Sequence, residues 1–208
     1  MTTERIPFKL DGEALEATPG QTLLVAAEAA GKFIPHLCAL EGLEPFGGCR
    51  LCTVLVDGEP RSACTEPVVA GAVVRSDTPE LRRQRLLVIE LLFLEGRHLC
   101  ATCAKSGACE LQALARRLGF AAAHFEPLDG ERALDASHPD LFLFHERCFL
   151  CARCLRASIE LDGQHRFDLV GRGARRRIAV EGRLSDCGLA KDSAAVSACP
   201  VGALVVRR

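Results

Sequence analysis

The chain has 208 residues, 26 Lys and Arg against 27 Asp and Glu, and a formal net charge of −1, a balance that excludes a broadly basic nucleic-acid-binding face. Ten Phe with no Trp and no Tyr leave few platforms on which single-stranded bases could stack. Twelve cysteines are far above ordinary usage, the first ten residues carry no apolar signal segment, and the longest apolar run, 86–94, is interrupted by Glu90. The expectation is a cytoplasmic chain without a membrane span, whose reduced thiols are available to metal rather than paired in disulfides.

Residues 1–78 read as a small β-rich domain. Ile6, Phe8 and Leu10 alternate, Asp11-Gly12 makes a hairpin turn, and Ala14 to Ala17 returns. Thr22 to Ala30 is a compact helix stopped by Gly31. Four cysteines follow as Cys38-x10-Cys49-x2-Cys52-x11-Cys64, with Thr53 to Val56 as a strand ending in Asp57-Gly58. The glycines of Phe46-Gly47-Gly48-Cys49 let the main chain wrap closely and turn its N–H groups toward inorganic sulfide. Four thiolates in one loop-rich site suit a [2Fe–2S] cluster, with zinc as the competing occupant. His36 is read as a loop residue, since the cysteines already number four.

From 78 to 120 the pattern turns helical. Thr78 as N-cap, Pro79 at the first helical position and Glu80 after it open a helix. Its broad apolar face (Leu81, Leu87, Val88, Leu91, Leu92, Leu94) predicts burial on more than one side, between domains or under a partner. The helix gives out near Gly96, and then comes Cys100-x2-Cys103-x5-Cys109. Three cysteines lack a fourth, and the nearest competent donor is His98, whose imidazole would make a cluster less negative than a thiolate does. A second helix is expected over Glu110 to Leu118, ended by Gly119.

Residues 121–139 carry turn signals and read as a connector. Beyond them the run is Cys148-x2-Cys151-x2-Cys154, with Cys199-Pro200 some way on. The bacterial ferredoxin run is Cys-x2-Cys-x2-Cys-x3-Cys-Pro, whose fourth Cys serves the other cluster in two-cluster proteins. Here the fourth place of the first run is Ser158, and the second run has Leu189, Asp192 and Ala195 before Cys199. The four lost cysteines are those of one cluster, so Cys148, Cys151, Cys154 and Cys199 remain as a complete [4Fe–4S] set. Residues 166–170 and 176–180 alternate about Gly171-Arg172-Gly173 and predict a hairpin, not a dinucleotide loop, since no third glycine and no helix follow. Cys187 fits none of the three sets and reads as a free buried thiol.

In this order, with Cys109-Glu-Leu-Gln112, Arg147-Cys148, Arg153-Cys154 and Cys199-Pro-Val-Gly-Ala-Leu204, the chain resembles the N-terminal third of the large iron–sulfur subunit of respiratory complex I. It is similar also to the N-terminal part of iron-only hydrogenases, and most to the small diaphorase subunit of soluble NAD-reducing nickel–iron hydrogenases, which ends at about the same point. The resemblance implies an α+β chain in three parts: a β-grasp [2Fe–2S] ferredoxin-like domain over 1–78, a helical domain over 79–120 with one-histidine, three-cysteine ligation, and a connector with a bacterial-ferredoxin-like domain over 121–208. It implies one [2Fe–2S] cluster on Cys38, Cys49, Cys52 and Cys64, and two [4Fe–4S] clusters, on His98, Cys100, Cys103 and Cys109 and on Cys148, Cys151, Cys154 and Cys199. The complex I and iron-only patterns place the histidine as His-x3-Cys, where this chain has Gly96.

No Walker loop, Rossmann fingerprint or acid–base constellation is found, so the chain alone has no substrate site. The resemblance implies an electron relay between a diaphorase subunit that binds FMN and NAD and the small and large subunits of a nickel–iron hydrogenase. The same relay in a formate dehydrogenase or a complex I-like assembly is the alternative, and a zinc-stabilised structural module is the rival of another class.

Overall fold

The computed structural model describes residues 5–126 and 133–207. It separates into two compact units, Met1–Ala39 with Pro45–Val88, and Leu40–Glu44 with Ile89–Arg208.

The first unit is a mixed sheet with one short helix against it. Strands β1 (Ile6–Leu10) and β2 (Glu13–Ala17) form the expected hairpin, with Phe8 opposite Leu15. Its turn needs left-handed backbone at Asp11 (φ 50°) and Gly12 (φ 87°), which a small polar residue and glycine tolerate best. Helix α1 (Leu23–Ala29) is capped by Thr22, whose hydroxyl accepts from Val25 N, a contact worth about 1 kcal/mol. Strands β3 (Thr53–Val56), β4 (Glu59–Ser62) and β5 (Val73–Arg75) complete the order β2-β1-β5-β3-β4, with β1 and β5 parallel and the other pairs antiparallel. The core is Phe8, Leu10, Leu23, Leu24, Val54 and Val74, and it includes Cys52 and Cys64. Thiols are thus packed into the same apolar layer that drives the sheet to fold.

Helix α2 (Pro79–Leu94) opens at Thr78, whose hydroxyl accepts from Leu81 N at 3.3 Å. Its predicted apolar face divides in burial: Leu81, Leu92 and Leu94 are buried, whereas Leu87 and Leu91 are half exposed, and Ile89, outside the predicted face, is buried too. Two buried positions are charged, Arg85 and Glu90, and apolar periodicity marks neither.

In the second unit, α3 (Glu110–Arg117) ends near Gly119, at φ 76°. Within the segment read as a connector lies a short strand, β6 (Leu134–Asp135); it pairs with β7 (Leu141–Phe144), a pairing with too few residues to leave a sequence period. Residues 127–132 of that connector lie outside the described residues. Helix α4 (Arg153–Glu160) follows, then the predicted hairpin as β8 (Asp168–Val170) and β9 (Arg177–Ala179). Helix α5 (Ala194–Ser197) packs on α4, and β10 (Leu204–Val206) closes the sheet β10-β7-β6. Asp162 fixes the helix pair by accepting from Ala194 N (2.8 Å) and Ala195 N (3.0 Å) at the start of α5. Among the described residues no helix is long and apolar enough to cross a membrane.

Candidate metal centres

The first unit brings Cys38, Cys49, Cys52 and Cys64 together, all buried. Hydrogen bonds from the Cys49 and Cys64 thiols hold Cys38 below the ordinary thiol range, aided by the amides of Cys49 and Gly48. Its partners move the other way: the bond to Cys38 and then burial push Cys49 up, and bonds to Cys38 and Cys52 push Cys64 up. Four buried thiols in mutual contact cannot all ionise without positive charge among them, so their chemistry is that of a metal or cluster donor set. Arg50, between Cys49 and Cys52, has φ 59°, a left-handed turn that aims consecutive N–H groups at one side of the loop.

Sequence reasoning missed Arg85. Its guanidinium is buried and donates to three carbonyls: Ser76 O (2.7 Å), Thr53 O (2.9 Å) and Leu51 O (3.1 Å). Leu51 and Thr53 bracket Cys52, so this one side chain of α2 clamps the peptide on both sides of a candidate ligand. No motif marks it. Arg82 and Arg83 stand close before it on the same helix, so nothing in the sequence singles Arg85 out as the buried one.

In the second unit, Cys100 opens a single 3-10 turn, Cys100–Thr102, Cys103 follows it, and Cys109 stands at the start of α3. Together with His98 they line one pocket, to which Phe93 and Arg147 also contribute. Burial pushes the Cys109 thiol up. Burial also holds the His98 imidazole below its ordinary value, with the Arg147 charge acting in the same direction and the Leu92 carbonyl against it. His98 Nε2 lies 3.1 Å from Leu92 O. A carbonyl can only accept, so Nε2 carries the proton and Nδ1 keeps its lone pair, the form in which a histidine can be a ligand. A Cβ on Gly96 would stand 2.5 Å from Glu146 O and 2.7 Å from His98 Nε2. The position with His-x3-Cys spacing therefore has no room for a side chain, and the imidazole of His98 lies against it.

Cys148, Cys151, Cys154 and Cys199 line a second pocket in this unit. Leu150 (φ 58°) and Ala152 (φ 56°) put two left-handed residues into the loop, which curls it round the pocket. Burial, then the nearby Cys199 and Cys148 thiols, push Cys151 up; burial, then Cys151, Cys199 and Cys148, push Cys154 up. The Leu204 amide donates to Cys199 Sγ at 3.4 Å. Val201 lines this pocket and the His98 pocket alike. Where a second run would place its ligands, Ser158 and Ala195 are fully buried and the Ser158 hydroxyl donates to Leu155 O at 2.8 Å. Cys187 is buried and its thiol donates to Leu184 O at 3.1 Å. Among the described residues no three His, Cys, Asp or Glu side chains are placed so that they could hold one metal ion between them.

Comparison with known proteins gives this geometry its class. A model of the 2Fe-2S iron-sulfur cluster binding domain matches residues 3–79. One of the NADH-ubiquinone oxidoreductase-G iron-sulfur binding region matches 85–124. One of the ferredoxin-like domain of NADH-quinone oxidoreductase subunit 3 matches 139–205. The chain is thus an α+β iron–sulfur protein with an N-terminal [2Fe–2S] ferredoxin domain, a C-terminal ferredoxin-like domain and an electron-relay role.

It is 34% identical over 205 residues to the gamma chain of the NAD-reducing hydrogenase HoxS of Cupriavidus necator, covering 98% of this chain and 88% of that one. In the crystal structure of an NAD+-reducing [NiFe]-hydrogenase in the H2-reduced state, one chain is 44% identical with a TM-score of 0.94, over 97% of this chain and 87% of that one. The chain belongs to the family of NAD-reducing hydrogenase gamma chains. The mitochondrial 78 kDa subunit of NADH-ubiquinone oxidoreductase from Candida albicans is 33% identical over 206 residues, but this chain spans only 28% of its length.

Proposed function

We propose that this chain conducts electrons between an FMN- and NAD-binding diaphorase subunit and the two subunits of a nickel–iron hydrogenase, the assembly carrying out H2 + NAD+ = NADH + H+. Its three parts are the [2Fe–2S] domain of residues 1–78, the helical part of 79–120 and the ferredoxin-like part of 121–208. Cys38, Cys49, Cys52 and Cys64 hold a [2Fe–2S] cluster. His98, Cys100, Cys103 and Cys109 hold a [4Fe–4S] cluster, and Cys148, Cys151, Cys154 and Cys199 hold another. When bound, the clusters supply one-electron chemistry. What the chain supplies is the burial, the amide donors and the neutral imidazole that fix their potentials.

One observation carries the relay reading: Val201 lines both pockets in the second unit, so the two donor sets adjoin a shared side chain. The choice of partners rests on the hydrogenase relatives. Iron and acid-labile sulfide analysis of the purified chain tests the cluster content, with about ten irons expected from one two-iron and two four-iron sites. About six would remove one [4Fe–4S] assignment, and a colourless protein holding only zinc would overturn the whole reading. Recovery of the chain with a nickel-containing subunit supports the hydrogenase assembly, and recovery with a molybdenum enzyme would replace it.

A further inference from the structure

Arg147 stands immediately before Cys148 of one ligand set, yet its side chain belongs to the other. The 3-10 turn His145–Arg147 ends there, and the guanidinium enters the pocket of His98, Cys100, Cys103 and Cys109. Among the described residues lining the Cys148 pocket, Arg147 does not appear. Its Nη1 donates to Cys103 Sγ at 3.8 Å and to Gly202 O at 3.5 Å. Its Cζ lies 3.8 Å from the centre of the Phe144 ring, and its Nε is 3.8 Å from Glu146 Oε1. The side chain is only 12% exposed. Gly202 makes the approach possible, because a Cβ there would fall 2.5 Å from Cys103 Sγ.

A guanidinium stays charged under all working conditions. Held by an aromatic face and a carbonyl, it cannot swing away, so its charge acts on whatever Cys103 binds. Net charge and hydrogen bonds to ligand sulfur set the potential of an iron–sulfur centre. Reduction adds negative charge, and a fixed cation beside a ligand sulfur stabilises that form more than the oxidised one.

We propose that Arg147 is a potential-setting residue: its N–H donation to Cys103 Sγ raises the midpoint potential of the centre held by His98, Cys100, Cys103 and Cys109 relative to that of its neighbour on the Cys148 set. The inference rests on the ligand sets named under Proposed function. It makes the step between the two centres depend on a side chain that ligates neither of them.

The test is a redox titration of the full iron-loaded chain, followed by EPR, for the wild type, Arg147→Met and Arg147→Lys. The signal of the centre in question is identified as the one missing from Cys109→Ala. The expected result is a lower midpoint for that signal in Arg147→Met, an intermediate one in Arg147→Lys, and a smaller change or none at the Cys148 centre. Arg147→Gln replaces Arg147→Met where the latter does not retain its iron. Unchanged midpoints, equal shifts at both centres, or loss of iron from both neutral variants would overturn the proposal. If the wild type at full iron content shows no signal that Cys109→Ala removes, the ligand assignment itself fails. A signal that is present but does not shift sinks only the role given to Arg147.

Discussion

Arg153 Nη1 donates to Glu110 Oε1 at 2.8 Å. Glu110 directly follows Cys109 and Arg153 directly precedes Cys154, so one ion pair ties two cysteine segments of the second unit together. The Glu110 amide donates to Pro200 O at 2.9 Å, which adds the segment of Cys199 to the same joint. The arginine side chain is 2% exposed and the glutamate 49%, so the carboxylate keeps much of its hydration while the guanidinium does not. Glu110→Ala is expected to cost about 1–3 kcal/mol, chiefly by taking one carboxylate away from a buried cation. Thermal bleaching of the visible cluster absorbance should come earlier in the variant, with the [2Fe–2S] contribution the last to go. Unchanged bleaching would mean that the joint bears no weight.

Arg85 should be the most sensitive non-ligand position of the first unit. Arg85→Met leaves the carbonyls of Leu51, Thr53 and Ser76 without their donor, a loss of about 3 kcal/mol or more. Because two of those carbonyls bracket Cys52, the [2Fe–2S] signal should be lost on dilution or mild denaturant while both [4Fe–4S] signals persist. Equal loss of all three would assign Arg85 a general role in folding.

Glu90 gives the fold a pH dependence whose sign can be worked out. Burial pushes its carboxyl up, but the amides of His124 and Phe125 and the His124 ring together outweigh burial and hold it below its ordinary value of 4.5. A group whose folded value is lowered stabilises the fold above its unfolded value, and that contribution disappears as pH falls through the folded one. Glu90→Gln should therefore be less stable than the wild type at neutral pH, with the gap closing below about pH 4.5. Comparing the two proteins cancels the acid lability of the clusters, which both share. A gap that widens in acid would reverse the assignment.

His98 separates two outcomes. As a ligand, His98→Ala should lower the iron content by about four atoms per chain, and His98→Cys should keep them at a lower midpoint, since a thiolate adds negative charge. Full iron content in His98→Ala, with the signal unaltered, would mean that another group completes the set of Cys100, Cys103 and Cys109.

The chain's local chemistry was written in its sequence. Each Cys-x2-Cys pair, the turns at Asp11-Gly12 and Asp57-Gly58, the Thr78 cap and the hairpin about Gly171 involve residues a few positions apart, where spacing alone fixes which groups can meet. The ferredoxin spacing, a fixed ruler, put Ser158 and Ala195 where a second run would have cysteines, and both are buried. Only the tertiary structure decided which distant groups act on those sites. Arg85 reaches a carbonyl 34 residues away, and Arg147 reaches a thiol 44 residues away. Such contacts follow from how strands and helices pack, and one charged residue among many carries no period or spacing that would reveal its target. Val201 is the plainest case: an ordinary valine in the sequence, it lines both cysteine pockets only because the fold brings nearby Cys199 back to the loop of Cys148.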